Sequence, residues 1–433
     1  MTRLIAFICA LFASVVLWSA APAHAQTEPL AFPGAMGWAA STPGGRGGQI
    51  IRVTNLNASG PGSFREAVET AGPRIVVFEV GGVIDLDVSE VRIREPFLTI
   101  AGQTAPSPGV TFIRGGFVIA THDVIVQHIR IRPGEAGLEK MAGPDFDGIS
   151  ITGYNVIIDH CSFTWATDEN LSASGPRFTG DTPDEWRAGT SHRITFTNNI
   201  IAEGLAYSTH PKGEHSKGSL IHDNVTDILI ARNIYSSNME RSPLFKGGVR
   251  GAIINNLIYN PGRRAVHYNL LPAEWEGYEP QLGMMTLIGN VMRGGPDTVE
   301  GLPLLTIGGT GDLELYARDN IAVDQFGAEL PFMGRYTTGA AQIRRVGRPN
   351  MVPPGVTPIA AAAVEAELLR DAGARPWDRD EHDWRVIADV VEGRSEIIDS
   401  EAEVGGYPAP EPTSAPFNPE EWDLATMQRR TSS

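Results

Sequence analysis

Residues 155 to 164 read Asn-Val-Ile-Ile-Asp-His-Cys-Ser-Phe-Thr, a β-branched run that alternates with period two and closes on polar residues. The string recurs. Related runs span Val124 to Arg130, Val156 to Ser162, Ile194 to Ile200, Ile228 to Ile234, Ala252 to Leu257, Thr286 to Val291 and Leu315 to Ile321, most with Asn followed by an apolar residue. Aligned on their ends, they put His128, His160, Asn199, Asn233, Asn256, Asn290 and Asn320 in one row, roughly 23 to 39 residues apart. Such self-similarity marks a solenoid, a propeller or an array. The strand-forming composition excludes a helical solenoid, and a propeller blade needs four strands where each repeat holds two or three. The reading is an all-β chain wound as a single parallel β-helix. The Asn row supports it, because a buried amide can bond the amides of the coils above and below. On this alignment His128 and His160 are expected in the ladder, not as metal ligands or bases.

The remaining segments fall outside the coils. Residues 1–25 carry a basic start at Arg3, an apolar stretch from Leu4 to Trp18 and Ala23-His24-Ala25, the pattern of a signal peptide cleaved before Gln26. The product is expected to be secreted, extracellular or periplasmic, and monomeric. No later stretch is long and apolar enough to span a bilayer. Cys9 leaves with the signal, so Cys161 is expected as a buried structural thiol and no internal disulfide forms. The β-helix is assigned to 26–350, with Ser63-Phe-Arg-Glu66 as a capping box for a short helix over its open end. A C-terminal extension, 351–407, contains an Ala- and Leu-rich helix from Ile359 to Asp371. The Pro-, Glu- and Ser-rich tail, 408–433, is expected to be disordered.

A formal net charge of -16 argues against nucleic acid as partner. Basic residues nevertheless concentrate between Lys212 and Arg264, as Lys212, Lys217, Arg232, Arg241, Lys246, Arg250, Arg263 and Arg264. Upstream lies an acidic window of Asp145, Asp147, Asp159, Asp168 and Glu169. Successive coils bring such residues together on one face, where carboxylates can converge on a hard cation such as calcium. Acids on one coil and Arg241 with Lys246 on a later one form a groove suited to a polyuronate, with Pro243 holding the turn between them extended. His210, His215 and His222 have spacings that match no standard zinc set.

The motifs resemble a known family. Ala31-Phe-Pro-Gly-Ala-Met-Gly37, Gly44-Gly-Arg-Gly-Gly48, Ser59-Gly-Pro-Gly-Ser-Phe-Arg-Glu-Ala67, Ile100-Ala-Gly-Gln-Thr-Ala-Pro106, Phe146-Asp-Gly-Ile149, Ile157-Ile-Asp-His-Cys-Ser-Phe163, Thr167-Asp-Glu169, Lys212-Gly-Glu-His-Ser-Lys217 and Arg241-Ser-Pro243 are similar, in that order, to secreted bacterial pectate lyases of polysaccharide lyase family 1. The resemblance implies a right-handed β-helix that cleaves de-esterified homogalacturonan by calcium-assisted β-elimination. By position it implies Arg241 as the base, Asp147 and Asp168 as calcium ligands with Glu169 beside them, and Lys217 or Lys212 as the substrate lysine. It also puts Lys246 where a second Arg is usual, and Ser172 where another acid is usual. Asp159 reads as half of a coil-stabilising pair with His160 near the cleft. Two alternatives stay open: a β-helix glycoside hydrolase of the polygalacturonase type, which needs paired carboxylates such as Asp168 and Glu169, and a noncatalytic polysaccharide-binding β-helix.

Overall fold

In the computed structural model, residues 28–430 are described. The signal-peptide segment lies outside them. Each coil runs through three strands, as in Val124–Gln127, Arg130–Arg132 and Ile149–Ile151, before the next begins at Tyr154–Asp159. Among the described residues the stacked coils build sheets of 11, 10 and 9 strands, here sheets 1, 2 and 3, all parallel but for one C-terminal strand at the edge of sheet 2. Residue pairs such as Val156 and Ile194, or Ile158 and Phe196, lie in register, so alternate side chains fill one continuous apolar interior.

The corner between sheets 1 and 2 takes two residues, and it corrects the ladder by one position. The first corner residue is left-handed: His128, His160, Asn198, Arg232, Asn255 and Asp319 all have φ between 48° and 60°. The second is the ladder residue. The row runs Asn199, Asn233, Asn256, Asn290 and Asn320, and each after the first accepts from the Asn before it, at 2.9 to 3.0 Å. Cys161, not His160, continues that row, its backbone N–H donating to Asn199 Oδ1 at 2.8 Å. His128 and His160 stack on each other one position earlier, with ring centroids 5.1 Å apart. Cys161 is free and fully buried, and desolvation pushes its thiol well above the ordinary value.

Two of the three outer faces are covered. Helix α1 (Phe64–Glu69), capped by Ser63, drives Phe64 into the first coils against Phe78, Phe112 and Phe117. A second helix, α2 (Pro183–Gly189), lies in the loop between sheets 3 and 1 and has a complete Thr182–Glu185 capping box. Helices α3 (Ala361–Asp371) and α4 (Glu381–Glu392) lay Val364, Leu368, Val386 and Val390 on the outer face of sheet 2, against Ile200, Ile234 and Leu257. Sheet 1 is covered by Ala31 to Ala40 over its middle coils and by Phe417 and Met427 over its first ones.

The C-terminal segment is therefore docked over 408–430, not loose. Thr413–Ser414 pairs antiparallel with Val80 and Gly81 at the edge of sheet 2, covering backbone groups that would otherwise be open to another strand. At the C-terminal end of a sheet 3 strand, Leu270 packs against Trp186 of α2 and Trp275. No helix of the described residues is long and apolar enough to cross a membrane.

Candidate active site

The chemistry-bearing residues gather where the long loops from sheet 2 enter sheet 3. Parallel bridges pair Glu169 with Lys217 and Lys217 with Glu240, and Asp147 stands two residues before the Ile149–Leu171 pair. Asp147, Glu169, Lys217 and Glu240 thus form a column across four coils. Asp168 precedes Glu169, and Arg241 follows Glu240.

Asp147, Asp168 and Glu169 bring carboxylate oxygens within 4.8 Å of one another. Asp147 Oδ1 also accepts from the Glu169 backbone N–H at 3.0 Å. Burial, then the neighbouring Asp168 charge, raises the Asp147 carboxyl well above its usual range. Three hard oxygen donors that repel one another are the chemistry of a calcium pocket, and the donor set fits that ion. Ser172, buried in the next strand, accepts from the Leu220 backbone N–H at 3.4 Å and adds no charge.

Arg241 has φ 66°, so its turn is left-handed there, where an extended one was expected from Pro243. A non-glycine residue held in that region costs of order 1–3 kcal/mol and persists only where its surroundings enforce it. Its Nη1 donates to Glu169 Oε1. Desolvation lowers the guanidinium below its usual value, against the pull of Asp168 and Asp147.

Lys217 is buried and ion-paired to Glu240, which also holds Arg263 and Arg264. Desolvation and those two guanidiniums bring Lys217 down to about 7. Lys212, the other candidate, is exposed on the loop edge and makes only a backbone contact, to His210. Lys246 ends its sheet 3 strand paired with Glu274 and, at 3.5 Å, with the fully buried Asp223.

Other residues take positions that the sequence did not disclose. His210 and His215 meet Asp168, whereas His222 turns to Asp223 and Arg177. Asp159 is not near the cleft. It sits at the sheet 1 corner, accepting from Gln127, Thr197 and Asn198 and pairing with His160, and those contacts outweigh its burial to keep it well below the ordinary carboxylate range. The loops around Gly175 to Gly189 and Leu271 to Gln281 pack together through Phe178, Trp186, Trp275 and Tyr278.

No protein-family model matches the chain. A protein named probable pectate lyase C from Neosartorya fischeri is 38% identical over 289 residues, covering 66% of this chain and 60% of that protein. Its namesake from Aspergillus terreus is 40% identical over 241 residues, covering 55% and 50%. The chain thus spans about 50–60% of the length of these curated relatives. Both are fungal, whereas the motifs pointed to secreted bacterial proteins.

Among solved structures, a pectate lyase bound to a hexasaccharide superposes with a TM-score of 0.54 at 15% identity, covering 82% of this chain and all of that one. The cedar pollen allergen jun a 1 gives 0.51 at 17% identity, covering 78% and 92%. The shared fold is the right-handed parallel β-helix.

Proposed function

We propose that this chain is a secreted, monomeric polysaccharide lyase that cleaves de-esterified homogalacturonan by calcium-assisted β-elimination, with Arg241 as the base. The observation that carries the reading is the meeting of Asp147, Asp168, Glu169 and Arg241 at the entry to sheet 3, in one column with Lys217, with Lys246 farther along the same sheet. The relatives' name supports the same substrate class.

Elimination moves the C5 proton of a uronate to the base, forms the C4–C5 double bond and breaks the bond from C4 to the glycosidic oxygen. The difficulty is electrostatic, since the departing proton leaves electrons beside a carboxylate that is already negative. Asp147, Asp168 and Glu169 would hold the calcium ion, which when bound neutralises that substrate carboxylate. Glu169 Oε1 accepts from Arg241 Nη1, which holds the guanidinium beside the carboxylates that would bind the ion. Burial favours the neutral form of Arg241, so the rate should rise with pH toward an alkaline optimum. Lys246, held by Asp223 with Glu274, adds positive charge, whereas Lys217, brought down to about 7, is left at alkaline pH as a hydrogen-bonding group that Glu240 positions.

Incubation with polygalacturonate should yield products with the ultraviolet absorbance of an unsaturated uronate, falling ~10-fold or more with EDTA and returning with calcium. Reducing ends without that absorbance would identify a hydrolase, and binding without turnover a noncatalytic module. Activity unchanged by EDTA would refute the metal assignment. Methyl esterification should also lower the rate, because it removes the charge and the oxygen donors that this groove recognises. An equal rate on highly methylated pectin would overturn that substrate preference.

A further inference from the structure

Among the described residues, Asp168 is common to two clusters, the carboxylates around Asp147 and a second group with His210 and His215. The two imidazole rings stack at 19° with centroids 3.3 Å apart. His210 is fully buried, and its Nδ1 accepts from the Lys212 backbone N–H at 3.1 Å, which puts its own proton on Nε2. That nitrogen has no hydrogen-bond partner among the described residues, and it faces Asp168 Oδ2 at 3.7 Å and Asp145 Oδ2 at 4.0 Å. A protonated nitrogen is not a metal ligand, so the group is a donor aimed at a carboxylate.

His215 turns Nδ1 to the Gly213 carbonyl at 3.3 Å and holds Nε2 3.3 Å from Asp168 Oδ1. Each oxygen of Asp168 therefore faces its own imidazole.

Such a pair answers a specific need. Asp168 has a carboxylate oxygen within 4.8 Å of Asp147 and Glu169 oxygens while its side chain is still 26% exposed, so electrostatic repulsion would turn it toward solvent. We propose that His210 and His215 are positioning residues that hold Asp168 in place beside Asp147 and Glu169, assembling the cation pocket before the cation arrives. The proposal rests on the calcium reading above. Groups that orient a ligand in this way change metal affinity by about 10–100-fold when removed.

The test is calorimetric titration of the whole mature protein with calcium, independent of turnover. His210→Gln keeps an N–H donor near the Nε2 position, whereas His210→Asn has the same amide one methylene short. Calcium affinity should stay within a few-fold of the parent in His210→Gln and fall about 10–100-fold in His210→Asn and His215→Ala, with unfolding temperatures matching the parent's. Equal calcium affinity in the parent and all variants would overturn the positioning role while leaving the calcium site intact. No calcium binding by the parent itself would overturn the calcium reading and this proposal together. Tight, stoichiometric zinc binding by the parent that His210→Gln abolishes would overturn it too, by making the histidines ligands.

Discussion

Arg241→Lys should lower turnover on polygalacturonate by about two to four orders of magnitude, the range for removing a positioned proton acceptor. That is about 3–5 kcal/mol of transition-state stabilisation. The left-handed backbone at Arg241 and the Glu169 contact aim one guanidinium nitrogen at a defined point. Lysine offers one nitrogen on a different reach and cannot fork between a carboxylate and a substrate proton. Lys246→Arg is the control. It keeps the charge opposite Asp223 and Glu274 and restores the residue usual in the resembling family, so its rate should stay within a few-fold of the parent. Single-turnover rates at saturating calcium, with matched unfolding curves, make the comparison. Near-normal turnover by Arg241→Lys would mean that another group is the base.

The coils were legible because their signal is local: a period-two run such as Val156 to Asp159 buries one face whatever lies elsewhere. The ladder was misplaced by one because each corner holds two polar-tolerant residues, and string endings alone do not distinguish the left-handed His160 from the ladder position of Cys161. The acidic window was legible from coil spacing, with Asp147 and Glu169 each two residues before a strand, but the choice of Asp147, Asp168 and Glu169 within it came from the resemblance. His210 and His215 could not. They reach Asp168 only because the loop from 203 to 219 folds back, with the Ser216 N–H on the Leu205 carbonyl and the His215 N–H on the Ala206 carbonyl. Glu240 went unnoticed although it adjoins Arg241; its task of holding Lys217, Arg263 and Arg264 is visible only across coils. The tail reads as disordered by composition, yet a few anchors, Phe417 and Met427 on sheet 1 and Thr413 on the sheet edge, suffice to order it.

Asp383→Ala should destabilise the protein by about 3–5 kcal/mol, the cost of stripping one partner from a buried charge network. Arg130 and Arg132 point outward from sheet 2, yet their side chains are only 1% and 0% exposed because α4 lies over them. Asp383, itself fully buried, accepts from Arg130 Nε at 3.2 Å, Arg132 Nη2 at 2.9 Å and Ser162 Oγ at 2.8 Å. Asp380 takes the remaining face of Arg132 at 2.6 Å, and the two carboxylates together outweigh burial to raise Arg132 above its usual value. Alanine at 383 would leave Arg130 with only the longer 3.4 Å approach of Asp380 and its carbonyl contacts, a guanidinium taken out of water with too little opposite charge. Asp383→Asn keeps the shape and some hydrogen bonds and should lose less. Urea unfolding of the three proteins, compared at equal slope, gives the difference. This network lies on the outer face of sheet 2 and shares no residue with the carboxylate column, so the folded Asp383→Ala protein should still turn over polygalacturonate at near the parent rate. A loss below about 1 kcal/mol would mean that the apolar contacts of Val386 and Val390, not the ion pairs, hold α4 on the coils.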